Sequence, residues 1–234
     1  MRIISRHGWR VTTKQAMAIQ MELAGEVSRA GKINAPRFIA GVDISVNRFS
    51  KRGTGAVVVL SYPDLQIAEI QVVMDRIEFP YVPGLLSFRE APLILAAFEK
   101  ITLTPDIIMV DGQGIAHPRR FGIASHLGLL LGLPTIGCAK SRLCGEHEIP
   151  GNEAGSYKEL KDNGEVIGAV LRTRAGVKPL YVSIGHMIEL NSAMEWVVAC
   201  CRGYRLPEPT RLAHQAAGGN LKIKNDLARA GVKY

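Results

Sequence analysis

The stretch Ile107-Ile108-Met109-Val110-Asp111-Gly112-Gln113-Gly114 is an apolar run of strand length that stops on a carboxylate and a glycine turn. The hydrophobic pattern changes character on either side of it. Upstream, three strand candidates lie at roughly 37–47, 54–62 and 66–75, with turn chemistry at Arg52-Gly53 and Pro63-Asp64, and such close spacing predicts an antiparallel meander. Downstream, helix, strand, helix and strand alternate over roughly 87–102, 106–111, 120–132 and 134–138, which predicts parallel βαβ organisation. Further out, a helix begins after Thr12-Thr13 on the stripe Ala18, Ile19, Met21, Leu23, Ala24 and Val27, and Gly31 is expected to end it. A polar stretch at roughly 141–164 precedes two more strand candidates, roughly 165–172 and 179–185, and helices at roughly 190–203 and 210–230 close the chain.

A meander followed by βα units, with acids at strand ends, predicts an α/β architecture of ribonuclease-H-like type. The expectation is a central mixed sheet, part antiparallel meander and part parallel strands, flanked by helices. No repeat or low-complexity tract divides the chain, and 1–234 is read as one domain.

Three carboxylates carry the chemistry. Asp43 interrupts the apolar segment Phe38-Ile39-Ala40-Gly41-Val42-Asp43-Ile44-Ser45-Val46, Asp111 ends the central run, and Glu90 closes Ser87-Phe88-Arg89-Glu90. A carboxylate embedded in apolar strand is costly to bury without a neutralising partner, and a hard divalent cation with oxygen ligands is one. Bland readings exist for two of them, since Asp111 suits a strand-end turn and Glu90 a first helical turn. Asp43 is the hardest to explain so, because it interrupts an otherwise apolar strand. Lys140 directly follows Pro134-Thr135-Ile136-Gly137-Cys138, and strand ends converge on one cleft in open α/β sheets. A lysine there can stabilise charge building on phosphate oxygens.

The chain has 29 Lys plus Arg against 21 Asp plus Glu, a formal charge of +8, and a pI of about 9.5. An acidic site on a basic chain suits a polyanion and points to phosphodiester chemistry on nucleic acid. Cys138, Cys144, Cys200 and Cys201 show no CxxC or zinc spacing and read as reduced packing thiols. No secretory leader follows Met1, and no apolar run is long enough to span a membrane, so a cytoplasmic protein is expected. Gly112-Gln113-Gly114 lacks the third glycine of a dinucleotide loop, because position 117 is His; P-loop and HExxH patterns are absent.

Pro80-Tyr81-Val82-Pro83-Gly84 is a stiff loop bearing one aromatic ring, either a structured connection or a wedge that enters a base stack. His117-Pro118-Arg119-Arg120 follows the glycine turn; it is expected to open a helix and to offer Arg119 and Arg120 to phosphates.

Four segments together resemble the signature blocks of the endonuclease V family: Gly41-Val42-Asp43, the run from Pro80 to Glu90, Val110-Asp111-Gly112-Gln113-Gly114-Ile115-Ala116-His117-Pro118-Arg119, and Gly137-Cys138-Ala139-Lys140-Ser141. Pro209-Thr210-Arg211-Leu212-Ala213-His214 matches as well, and Val82 stands where many members carry Ile. The resemblance implies a ribonuclease-H-like, Mg²⁺-dependent nuclease, with Mn²⁺ as a substitute, that acts on deaminated bases, chiefly deoxyinosine, in single- or double-stranded DNA. It implies hydrolysis of the second phosphodiester 3′ to the lesion, leaving 3′-hydroxyl and 5′-phosphate ends. By motif, Asp43, Asp111 and Glu90 would serve the metal, His214 the attacking water and Lys140 the scissile phosphate. Pro80, Tyr81, Val82 and Pro83 would form a strand-separating wedge, and Gly84, Leu86, Gly112, His117 and Gly122 the pocket for a flipped base. A monomer in DNA repair is expected. An inosine-directed RNA nuclease or a structure-specific nuclease would use the same acids, and a non-catalytic binding module would not need them together.

Overall fold

Pairing geometry determines where the strand ends meet. The computed structural model describes residues 1–47 and 51–221. The helix α1 (Thr13–Ala24) precedes three strands, β1 (Phe38–Asn47), β2 (Arg52–Ser61) and β3 (Ile67–Arg76). There follow α2 (Leu86–Lys100), β4 (Ile107–Val110), α3 (Ile123–Leu131) and β5 (Thr135–Ala139). Then β6 (Tyr157–Asp162), β7 (Glu165–Leu171) and β8 (Leu180–His186) lead into α4 (Leu190–Ala199) and α5 (Glu208–Ala217). All eight strands join one sheet in the order β3-β2-β1-β4-β5-β8-β7-β6. β1, β4 and β5 are mutually parallel, and every other neighbouring pair is antiparallel. The expected ribonuclease-H-like mixed sheet flanked by helices is what the chain forms.

The period of two along each strand sorts the core into two layers. Ile39, Ile107, Met109, Ala56 and Val58 pack with α4 and α5. Ala40, Val42, Ile108 and Val110 pack with α2 and α3. Asp43 and Asp111 share the parity of the first set, so both belong to the α5 face.

Several boundaries differ from the sequence reading. α1 ends at Ala24 on the Gly25 cap, well before Gly31, although its start carries the capping box of Thr12 and Gln15. Arg52 and Gly53 are not the turn but paired residues of β2, opposite Asn47 and Val46. β6 was not anticipated: its sequence is polar, only Leu160 is buried, and it survives as the sheet's edge. α3 starts at Ile123 and not at 120, because Arg120 takes a left-handed φ of 53° and Gly122 is the cap. α4 stops at Ala199 rather than near 203. α5 stops at Ala217, and the later part of the helix expected to reach 230 lies outside the described residues. Among the described residues no helix is long and apolar enough to cross a membrane.

Candidate active site

The parallel register carries three residues to one edge. Val42 pairs with Val110, and Val110 with Gly137, so Asp111 and Lys140 stand just past the ends of β4 and β5. Asp43 stands inside β1, one residue past the end of its parallel pairing with β4 and not at a strand end as the sequence suggested. The Asp111 N–H donates to the Val42 carbonyl at 3.3 Å, which fixes the turn beside Asp43. From α5, the His214 ring donates from Nδ1 to Asp43 Oδ2 at 2.6 Å. α5 can approach because β1 carries Gly41 where it crosses: a Cβ there would lie 1.9 Å from the Pro209 carbonyl oxygen. One ligand atom each from Asp43, Asp111 and His214 lies within 4.8 Å of the others. The Lys140 ammonium pairs with Asp111 Oδ2.

Burial raises the Asp43 pKa, and the Asp111 charge raises it further, while the His214 hydrogen bond opposes both. Glu90, on α2, is outside the close set. Burial first, then the Asp43 charge and to a smaller degree Asp111, push it up to about 8. Glu90 therefore feels the cluster without closing on it. Asp43 and Asp111 repel one another and Glu90 behind them, and two carboxylates beside an imidazole are a donor set that suits a hard divalent ion.

A cavity of about 370 Å³ opens beside the cluster, and Asp111 and Lys140 form part of its wall. Gly84, Leu86, Gly112, His117 and Gly122 all line it, with Tyr81, Val82 and Pro83 at the rim. Tyr81 is 71% exposed, a large aromatic side chain held in water by the loop. The structure thus brings the two motif blocks into one concavity. Cavity walls the sequence reading missed come from Gln20, Ser87 and Gln113, and from Ser141-Arg142-Leu143 after β5. Gln20 was legible in principle: it is the polar member of the buried α1 stripe Ala16, Gln20, Leu23.

The arginines depart from expectation. The Arg120 guanidinium is taken by Asp162 at 2.8 Å and Glu165 at 2.7 Å, so it ties the loop to β6 and β7. Arg119 donates from Nε to Gln20 Oε1 at 2.6 Å and from Nη2 to the Gly84 carbonyl at 2.7 Å. Both heads bond within the protein, so a phosphate met by either would share these guanidinium groups with Gln20 and Gly84 or with Asp162 and Glu165.

Two carboxylates and a lysine brought together where parallel pairing of β1, β4 and β5 ends, on a ribonuclease-H-like sheet, define a nuclease of that fold. The sequence model of the Endonuclease V family matches residues 21–215. The Endonuclease V of Dehalococcoides mccartyi strain BAV1 is 54% identical over 211 residues, covering 90% of this chain and 95% of that protein. The Gloeobacter violaceus Endonuclease V is 50% identical, with 98% and 94% covered. Among solved structures, Endonuclease V of Streptomyces avermitilis aligns at a TM-score of 0.86 with 40% identity, covering 94% of this chain and 98% of that one. Endonuclease V of Ciona intestinalis, in complex with a 24mer DNA containing an inosine followed by a ribo-adenosine, aligns at 0.78 with 26% identity, covering 89% and 97%. The chain belongs to the Endonuclease V family and is an endonuclease.

Proposed function

We propose that the protein recognises deaminated bases in DNA, chiefly deoxyinosine, and hydrolyses the second phosphodiester bond 3′ to the lesion, leaving 3′-hydroxyl and 5′-phosphate ends. The observation that carries this reading is the shared wall: Asp111 and Lys140 belong both to the carboxylate cluster and to the cavity. A base in the cavity would place a neighbouring stretch of its own strand against the cluster. The flipped base costs a few kcal/mol of lost stacking and pairing, least for a mispaired lesion. Tyr81, exposed on a proline-stiffened loop, is suited to fill the opened step.

Asp43 and Asp111 would hold Mg²⁺, or Mn²⁺ in its place, with Glu90 behind them. When bound, such an ion lowers the pKa of water and polarises the phosphate. Asp43 fixes the His214 tautomer with Nδ1 protonated, which leaves Nε2 to take a proton from the attacking water. The water oxygen bonds to phosphorus, the P–O3′ bond breaks, and the 3′ oxygen leaves as a hydroxyl after protonation from solvent. Lys140 faces the phosphate oxygens where charge accumulates.

Nicking of an inosine-containing duplex, compared with its undamaged counterpart with and without Mg²⁺, and with both product ends mapped, tests this directly. Equal cleavage of the two duplexes would sink lesion recognition. The ribo-adenosine after the inosine in the Ciona complex favours a second reading, inosine-directed cleavage of RNA. The same assay on a strand with a ribonucleotide 3′ to the inosine distinguishes the two.

A further inference from the structure

Beyond the cluster, among the described residues, the sheet continues without a covering helix. α5 ends at Ala217, and past Gly218 and Gly219 a groove of about 770 Å³ runs over the ends of β1, β2 and β3. Its floor holds Ser45, Thr54, Val72 and Met74, and its far end holds Arg52. Met74 is 65% exposed and Val72 43%, large apolar side chains with no helix above them among the described residues. Arg76 is the registered neighbour of Arg52 across β2 and β3. Both arginines are exposed, and among the described residues neither makes an ion pair. Parity puts this floor on the same face as Asp43.

The strand geometry sets a distance. Asn47, the β1 partner of Arg52, lies four residues past Asp43, which is about 13 Å at roughly 3.3 Å per residue. Neighbouring strands add about 5 Å sideways for β2 and about 10 Å for β3. A strand of B-form DNA advances about 3.4 Å per nucleotide, so the arginines lie about four to five nucleotides from the cluster. Across the sheet the order is the cavity at β5 and β4, the carboxylates at β4 and β1, and the groove over β1 to β3.

We propose that this open face, through Arg52 and Arg76, binds the phosphate backbone of the duplex on the 3′ side of the cut. The polarity rests on the proposed reaction: with the lesion in the cavity and the cut 3′ to it, the strand leaving the carboxylates leads to the groove. Two exposed guanidinium groups at a sheet end, without an ion pair among the described residues and above a neutral floor, complement a phosphate backbone and not an acidic or apolar segment alone. Ser45 of the groove floor lies two residues past Asp43 on the same face of β1, so a duplex engaged at the carboxylates runs on toward the groove.

The test compares the wild type with Arg52→Ser/Arg76→Ser. Binding to an inosine duplex is measured in EDTA across a salt series, so it does not depend on cleavage. On a duplex with about ten base pairs, one helical turn, 3′ to the cut, the magnitude of the slope of log K against log salt should drop by about two in the double variant. Shortening the 3′ flank to about two base pairs should cut the wild-type slope similarly and leave the variant unchanged, because the contacted phosphates are gone. Shortening the 5′ flank should affect both proteins alike. Matching thermal unfolding of the two proteins shows that the fold is intact. A wild-type slope in the double variant overturns the proposal, as does sensitivity confined to the 5′ flank, or loss of a dimer in place of DNA affinity. Absence of inosine-dependent nicking by the wild type would instead strike the proposed function, which this binding series leaves separate.

Discussion

The Gly84 carbonyl receives three side-chain donors: Gln20 Nε2 at 3.0 Å, His117 Nε2 at 3.0 Å and Arg119 Nη2 at 2.7 Å. Gly84 itself sits at φ 77°, a conformation costly for any residue with a Cβ. The Arg119 N–H donates to His117 Nδ1 at 3.1 Å, so the neutral ring carries its proton on Nε2 and points it at Gly84. These bonds anchor the cavity wall that follows the Tyr81 loop. Arg119→Ala should therefore weaken preference for inosine over undamaged duplex by about tenfold, the scale of one charge-assisted hydrogen bond, with the salt slope of binding unchanged. A slope lowered by about one would restore Arg119 to the role of a phosphate contact. For the cluster, Asp43→Ala and Asp111→Ala should each abolish metal-dependent nicking while leaving metal-free DNA binding intact or tighter, since a carboxylate facing the backbone has been removed. Near-normal nicking by either folded variant removes it from the catalytic set. The acids, Lys140 and His214 were legible because each breaks an apolar pattern or belongs to a motif. The bonds that commit Arg119 and Arg120 inward were not, since Gln20, Asp162 and Glu165 come from distant parts of the chain.

At the scale of elements, the site depends on how closely α5 lies on β1. The Pro209 carbonyl fills the space a side chain would need at Gly41, and the adjoining turn of α5 carries His214 to Asp43. Gly41→Ala puts a methyl group against backbone rather than a movable side chain. It should cost about 1–3 kcal/mol of stability, the usual range for overpacking. The lost alignment should lower the single-turnover nicking rate more than it weakens binding of inosine duplex. A denaturant midpoint and a saturating-enzyme rate check both, and a wild-type rate in a destabilised variant would show that α5 position does not matter to the chemistry. The elements around this contact were the readable ones. β1, β2, β4 and β5 declare themselves by apolar runs with turn residues between. β6 does not, because an edge strand with one buried side chain needs no apolar alternation. α3 was placed too early because Arg119-Arg120 resembles a first helical turn, whereas the left-handed Arg120 and the tight fit of Gly122 against Gln113 delay it.

Across the whole molecule, two buried imidazoles link the fold to pH. His126 on α3 is fully buried among Trp9, Phe88 and Phe121, and its Nε2 meets His7 Nε2 at 2.7 Å. Burial, with the neighbouring His7, lowers its pKa to about 3, and burial with the Arg119 charge lowers that of His117 to about 4. In the unfolded chain both return toward 6.5. Between those values the unfolded state holds more protons on these two rings than the native state, so their contribution to stability falls as pH drops from about 6.5 and levels off below each folded pKa, while Glu90, raised to about 8, contributes in the opposite sense down to about 4.5. The loss joins the N-terminal segment, α2 and α3, because His7 and Trp9 pack on the same ring set. His126→Phe keeps an aromatic filler and removes one titrating group. It should flatten the decline in unfolding free energy between pH 6.5 and about 3 by close to one proton's worth of slope, even if its stability at neutral pH is lower for want of the His7 bond. Chemical denaturation of the protein in EDTA at a series of pH values reads this, with His117→Asn as a second, independent reduction above about 4. A His126→Phe profile parallel to the wild type throughout the window would falsify the linkage, and would mean that the core opens to protonate His126 without unfolding.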